Sequence, residues 1–315
     1  MTQDRAPGDA GMEFYDADRT AALLPYDALA DAIAATLVDA ARGLASAPER
    51  IHLPLAGGGT LLVMPAADRR VAVNKLVTVC PGNPGRGLPL LLGSMTVLDA
   101  ATGRCLGVLD GPAVTARRTA ALSLLAARTL APRPGGALLL LGAGVQARAH
   151  LEALHQGLGT RRVLVHSRTP ARAEALAAHA RALGLEAAAV ADPGPALEEC
   201  ALVVTATCSP VPVLHGPLRR DAFVAAVGAF RADMAEVAPQ VVRVCRVFVD
   251  TAAGCAAGAG DLLQAGLDPA RDCTPLAEAL GAPRPVEGPV LFKSVGHALF
   301  DLAAGRLALG AKARR

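Results

Sequence analysis

The sequence predicts an α/β protein of two domains, a doubly wound parallel sheet preceded by an α+β, mainly antiparallel unit. Three observations carry that prediction. Residues 51–110 alternate β-branched and leucine-rich runs with Gly and Pro punctuation, the texture of strands joined by hairpins. From residue 137 onward, short apolar runs alternate with alanine-rich stretches of helical period, the pattern of βαβ units. The first of those runs, ALLLL, ends in the glycine-broken turn GAGVQA just before a helix begins, which is the entry to a Rossmann-type domain.

Taken in order, residues 1 to about 12 read as a flexible leader, and LPYDALADAIAATLVDAARG spaces its apolar residues as a helix up to a Gly stop. The segments RIHLPLAGGGTLLVMPAADRRVAVNKLVTVCPGNP and LPLLLGSMTVLDAATGRCLGVLDG supply strands, with DAATG as a hairpin turn. Helical period returns at 115–131 and ends at Pro132 and Pro134. There follow a strand at 137–141, a helix at 145–157, a strand at 162–166, a helix at 170–183, and strands at 201–205, 223–227 and 246–250. The closing stretch VLFKSVGHALFDLAAGRLALGA reads as a helix after a Gly turn that returns to the first domain. The expected division is residues 1–118, completed by the C-terminal helix 295–315, and residues 119–294.

Composition removes several function classes. At 315 residues the chain is long enough for two cores, and 52% hydrophobic against 19% charged residues excludes disorder. Aromatic residues make up 3%, with no Trp, so the stacking platforms of a nucleic-acid binder are missing. The net charge of +3 is scattered apart from AKARR, read as a solvated tail, and no nucleic-acid partner is expected. No apolar run approaches the roughly 20 residues of a membrane helix. The acid-rich start is no signal peptide, which leads to the expectation of a cytoplasmic protein without a membrane partner. Seven cysteines without a C-x-x-C pair read as reduced, mostly buried small hydrophobes, and the histidines lack metal-ligand spacing, so no metal is expected.

In the motif Gly142-Ala143-Gly144-Val145-Gln146-Ala147, Gly142 permits a tight turn and Gly144 lets backbone N–H groups approach a pyrophosphate. Ala147 keeps helix and strand close, and the helix start offers partial positive charge. An NAD site places an acid about 20 residues further on, at the ribose 2′-hydroxyl. There the sequence has Ser167, Arg168 and Thr169, an arginine between two hydroxyls, which suits a 2′-phosphate and favours NADP(H) over NAD(H). In the first domain Arg50, Lys75 and Arg118 are cations in apolar surroundings, and buried cations need anionic partners.

The stretches VMPA, NKLVTVCPGNP, VTARRTAALSLLAA, LGAGVQARAHLEAL, VVTATCSPVPVL, VGAFRADMAEV and FKSVGHALFDLAAG together resemble the ornithine cyclodeaminase and mu-crystallin family, in order along nearly the whole chain. PGNPGRGLPLLLGSMTVLDA with VGAFRADMAE looks most like its bacterial reductases of cyclic 2-ketimino acids. The resemblance implies hydride transfer to Δ1-pyrroline-2-carboxylate or Δ1-piperideine-2-carboxylate, giving L-proline or L-pipecolate. It also implies a homodimer that pairs its first domains, so that residues 1–118 serve substrate binding and dimerisation.

By this resemblance Arg118 is the carboxylate fork, Lys75 holds the carboxylate and assists proton delivery, Arg50 joins them, and Met64 lines the pocket wall. Arg117 is expected at the surface or a domain seam. Thr205, Thr207, Val227 and Gly228 fall to the cofactor, and Ser294 to a loop over the nicotinamide, with Lys293 beside it open in direction. Where ornithine cyclodeaminases carry an acid/base aspartate, this chain has Phe230, which cannot move protons and suits an apolar wall against a pre-cyclised imine. Asp233 and Glu236 stand as proton relays or capping residues, His297 and Asp301 as structural. The alternatives are a cyclodeaminase, an alanine-dehydrogenase-like enzyme, and a cofactor-binding protein without turnover.

Overall fold

The computed structural model describes residues 12–281 and 287–314. The expected leader falls almost wholly on residues 1–11, outside the described residues. The first sheet is built on four long strands, β1 (Thr60–Asp68), β2 (Val71–Val79), β3 (Leu91–Asp99) and β4 (Cys105–Asp110), paired antiparallel in that order. Short strands at Ile51–Pro54 and Ala45–Ser46 add antiparallel to β1, and Phe14–Tyr15 adds parallel to β4. The DAATG turn closes the β3–β4 hairpin, with the Asp99 carboxylate accepting from the N–H groups of Ala101 and Thr102.

Helices α1 (Tyr26–Ala41) and α2 (Gly111–Leu130) lead into the second layer. The second sheet contains β5 (Leu138–Leu141), β6 (Arg162–His166), β7 (Glu186–Ala189), β8 (Leu202–Thr205), β9 (Phe223–Ala226), β10 (Arg246–Val249) and β11 (Val290–Lys293). Their order is β7-β6-β5-β8-β9-β11-β10, with Thr274–Pro275 at the edge, and every pairing is parallel. Helices α3 (Val145–Leu158) and α4 (Pro170–Ala182) connect its first strands. The fold is thus the expected Rossmann-type sheet beside a mainly antiparallel one.

Two of the labelled strands, β7 and β11, were not anticipated, nor were the two-residue strands Phe14–Tyr15, Ala45–Ser46 and Thr274–Pro275. β7 reads EAAA and lacks the β-branched residues that mark strands; it exists because it closes the edge beside β6. The closing stretch is not one helix: Val290–Lys293 is a fully buried strand between β9 and β10, and only Ala298–Leu309 forms the terminal helix, α5. A continuous apolar run of this length fits either state, and pairing with two neighbours decides it.

α5 returns to the first sheet and packs on β1, β2, α1 and α2. Gly305 makes that approach close, since a Cβ there would stand 2.5 Å from a Val73 methyl. Lys312 anchors the end of the chain through Glu13 at 2.8 Å, so the AKARR segment is not simply a solvated tail. The cysteines are all free, but only Cys200 and Cys255 are buried, while Cys208 is exposed, which corrects the expectation that most are buried.

Candidate active site

Strand β2 alternates, with Val71, Val73, Lys75 and Val77 directed inward. An ammonium therefore occupies a place the pattern reserves for valine, and it is 1% exposed. Asp301 meets it from α5, one turn before the Gly305 contact, with Lys75 Nζ donating to Asp301 Oδ1 at 2.7 Å. Arg118, on the buried face of α2, brings its Nε to 3.5 Å from the same oxygen. Burial, with Arg118 and Arg50 nearby, outweighs the attraction of Asp301 and pushes the Lys75 ammonium down to about 8.

The loop between β11 and α5 completes this corner. Asp250, after β10, accepts from Ser294 Oγ at 2.8 Å and from the N–H groups of Val295 at 3.0 Å and Gly296 at 2.7 Å. The loop so fixed presents the carbonyls of Val295 and Gly296 to Arg50 Nη2, each at 3.1 Å. At Gly296, with φ +82°, a Cβ would lie 3.0 Å from both terminal nitrogens of Arg118. Arg118 thus turns its Nε edge to Asp301 and its two-nitrogen fork to the space beside Gly296.

A second set of residues lies at the carboxyl ends of β5 and β8, where the strand order reverses and open α/β sheets bind ligands. Gly142 has φ +117°, and a Cβ there would stand 2.5 Å from the Ala206 carbonyl, so the protein itself demands glycine. Gly144 is different. Its backbone is ordinary extended chain, and a Cβ there would meet no protein atom within 4 Å. The room it leaves faces outward at the start of α3, where unpaired N–H groups favour a phosphate.

Ala147 is fully buried, Ala143 packs on the core, and Val145 is 72% exposed. Gln146 Nε2 lies 3.5 Å from the Thr115 carbonyl, one turn before Arg118 on α2, which joins the glycine turn to the cation-bearing helix. Arg168 is exposed after β6 and makes no ion pair with a described residue, with Ser167 and Thr169 on either side. These residues border the end of β6 beside the glycine turn, within the region a dinucleotide would occupy.

The loops after β8 and β9 are tied by Glu236. Fully buried, it accepts from Thr205 Oγ1, from the N–H and Oγ1 of Thr207, and from the N–H groups of Gly228 and Ala229. A Cβ at Gly228 would lie 2.1 Å from the Thr207 carbonyl. The sequence reads Glu236 as a proton relay or a helix-start cap; the helix that follows it, Pro239–Val242, has no side-chain cap, and the hydrogen bonds of Glu236 anchor the two loops instead. Asp233 pairs with Arg231 at the surface.

Several expected contact residues are turned inward. Thr205 is fully buried with its hydroxyl given to Glu236; Ser294 is 2% exposed with its hydroxyl given to Asp250; Met64 is 2% exposed in the core, across from Lys75 in β1. Phe230 is half-buried and leans on the core of the second sheet. Their side chains shape the site from behind. Val227, Gly228 and Thr207 remain half-buried at the strand ends.

Arg117 stacks 3.6 Å over the Tyr26 ring and donates to the Leu24 carbonyl, at a helix seam. Lys293 points inward, to Asp261 at 2.7 Å and the Ala229 carbonyl at 2.6 Å. Sequence reasoning missed Asp250, Gly296 and the contact role of Asp301. The available signals were an aspartate closing an apolar strand, a glycine before the last helix, and an acid on that helix's apolar face.

Residues 13–309 match the ornithine cyclodeaminase/mu-crystallin family. The chain belongs to that family. Among its members, Δ(1)-pyrroline-2-carboxylate reductase 1 of Burkholderia multivorans is 43% identical over 306 residues, covering 96% of both chains. The Δ(1)-pyrroline-2-carboxylate/Δ(1)-piperideine-2-carboxylate reductase of Azospirillum brasilense is 43% identical over 309 residues, again covering 96% of both. The solved Δ(1)-pyrroline-2-carboxylate reductase of Thermococcus litoralis, in complex with NADH and L-proline, superposes with a TM-score of 0.89 at 27% identity, over 95% of this chain and 96% of that one. No helix among the described residues is long and apolar enough to cross a membrane.

Proposed function

We propose that this protein reduces cyclic 2-ketimino acids, Δ1-pyrroline-2-carboxylate to L-proline and Δ1-piperideine-2-carboxylate to L-pipecolate, with NADPH preferred over NADH. It is an NAD(P)H-dependent oxidoreductase acting on C=N bonds. The observation that carries the finer reading is the convergence of Lys75 and Arg118 on one sealed carboxylate, below the loop that leaves the dinucleotide sheet.

The Arg118 fork takes the substrate carboxylate beside Gly296, with Arg50 adding positive charge from the other side of that loop. Two coplanar N–H donors fix the plane of the acid and so the face of the adjacent C=N carbon. Bound in the cleft marked by Gly142, Gly144 and Ala147, the reduced nicotinamide supplies a hydride to that carbon. Lys75 has one of its three N–H donors on Asp301, and we assign another to the imine nitrogen, where the proton ends. Asp250 and Glu236 hold the loops on either side, and Arg168 with Ser167 and Thr169 receives the 2′-phosphate.

We assign residues 1–118 with the C-terminal helix to substrate binding and dimerisation, and 119–294 to the cofactor. The face of the first sheet opposite Lys75 carries exposed Ile51, Leu53, Leu76 and Leu92, aligned across neighbouring strands, and a second copy would cover it. We place the enzyme in the cytoplasm, in keeping with seven free cysteines. The deciding experiment supplies NADPH or NADH with each cyclic imine, with pyruvate plus ammonia, and with ornithine. Oxidation of NADPH by a cyclic imine is expected, and no turnover with either ring would remove the assignment.

A further inference from the structure

We propose that Asp301 is a positioning residue that holds the Lys75 ammonium in its protonated form and aims it, together with the Arg118 guanidinium, at the substrate. The inference rests on the proton-donor role given above to Lys75.

The first argument is contrast with two other buried acids, Asp250 and Glu236. Asp250 accepts from five donors, namely Thr251 N, Cys255 Sγ, Ser294 Oγ, Val295 N and Gly296 N. Glu236 likewise accepts from five, and both tie backbone segments together. Asp301 ties no backbone. It is fully buried, and among the described residues its Oδ1 meets only the ammonium and the guanidinium while its Oδ2 has no donor. A carboxylate kept for architecture would be better satisfied, and an apolar residue would fit a stretch of helix buried all round, with Phe300, Leu302, Ala303 and Ala304 as its neighbours.

The second argument is charge. Arg50, Lys75 and Arg118 share one corner, and of the three only the lysine can readily lose its proton. The groups around it are accounted for on each element. On α5, His297 caps the helix start and Arg306 lies toward the far end, where it takes Asp39 of α1 and Asp68 of β1. On α2, Arg117 faces Tyr26. Asp250 serves the 294–296 backbone, and Glu49 acts on Arg50 and His297. Asp301 is therefore the acid in contact with Lys75, and without it the ammonium would face two guanidiniums and an apolar core.

The chain contains three lysines, Lys75, Lys293 and Lys312, so 13Cε-labelled lysine gives a spectrum of three signals, with the Lys75 signal identified by its loss in Lys75→Met. Its titration is followed in the full-length wild-type and Asp301→Asn proteins, alongside the pH profile of kcat/KM with the cyclic imine. Expected is a fall in the Lys75 midpoint of roughly one pH unit or more in Asp301→Asn, with the alkaline limb of activity moving by the same amount. A midpoint unchanged from wild type overturns the proposal, even if the variant loses activity.

Should Asp301→Asn not fold, Asp301→Glu decides. It retains the charge and is expected to keep the midpoint at or above the wild-type value while turnover falls, and a lowered midpoint overturns the proposal. Because the titration needs no turnover, failure of the wild-type protein to reduce any imine would remove the functional reading and leave the test of Asp301 standing.

Discussion

Gly296 N donates to Asp250 Oδ2 at 2.7 Å across 46 residues of sequence, which fastens the crossing between the two sheets to the end of β10. The same glycine leaves just enough room for the Arg118 fork. The proposed anchor for a substrate carboxylate is therefore assembled from three parts of the chain, and its geometry depends on a residue without a side chain.

Gly296→Ala tests that dependence. A non-glycine residue at φ +82° costs about 1–3 kcal/mol of backbone strain. Its methyl would also press on both terminal nitrogens of Arg118 from 3.0 Å. Expected is a rise of about tenfold in KM for the cyclic imine, corresponding to about 1.4 kcal/mol, with NADPH affinity within a factor of two of wild type. Steady-state kinetics beside a fluorescence titration of NADPH separates the two quantities.

Gly142 and Gly144 provide a paired test of the dinucleotide cleft, because the protein needs the first and only a ligand needs the second. Gly142→Ala drives a methyl to 2.5 Å from the Ala206 carbonyl at φ +117° and is expected to lower the thermal midpoint markedly. Gly144→Ala meets no protein atom and should melt like wild type, while weakening NADPH binding by about tenfold or more. If Gly144→Ala bound NADPH normally, the pyrophosphate would not lie there.

How far this site was legible in the sequence differs by residue. The glycine turn was readable because strand, turn and helix are contiguous, and Lys75 because it is a cation in apolar surroundings within a stretch that resembles the family. Asp250 was not, since the loop it holds through Ser294, Val295 and Gly296 lies 44 to 46 residues away and no local pattern links them. Asp301 reads as a structural acid until α5 is seen packed on β2, and Thr205 reads as a cofactor contact until Glu236 is found taking its hydroxyl. β7 was missed because EAAA carries no strand signal, and β11 because VLFK runs straight into a helix in sequence although a loop separates them in space. Local periodicity records what one element buries, whereas these features depend on which elements meet.

Cofactor preference is expected to rest on Arg168. It is exposed and has no ionic partner among the described residues, so its removal should cost the fold little. Loss of a charge-assisted contact to a 2′-phosphate is worth about 1.5–3 kcal/mol, so Arg168→Ala should weaken NADPH binding by about ten- to a hundredfold and leave NADH nearly unchanged. Equal effects on both cofactors, measured by parallel titrations, would mean that the arginine does not read the 2′ position.

The pH dependence of the wild-type enzyme follows from Lys75. Burial holds its ammonium down to about 8 against an ordinary value of 10.5, so below about pH 8 it carries the proton that we assign to the imine nitrogen. Imine reduction should be flat in pH up to that point and then fall about tenfold per unit as the proton is lost. The effect on stability has the opposite sign. Between about 8 and 10.5 the unfolded chain keeps a proton that the folded chain has released, so unfolding becomes less favourable as pH rises through that window. Activity and stability should thus move in opposite directions above pH 8, the melting temperature gaining relative to Lys75→Met while turnover declines. A wild-type profile that stays flat to pH 10 would show that the proton comes from another group.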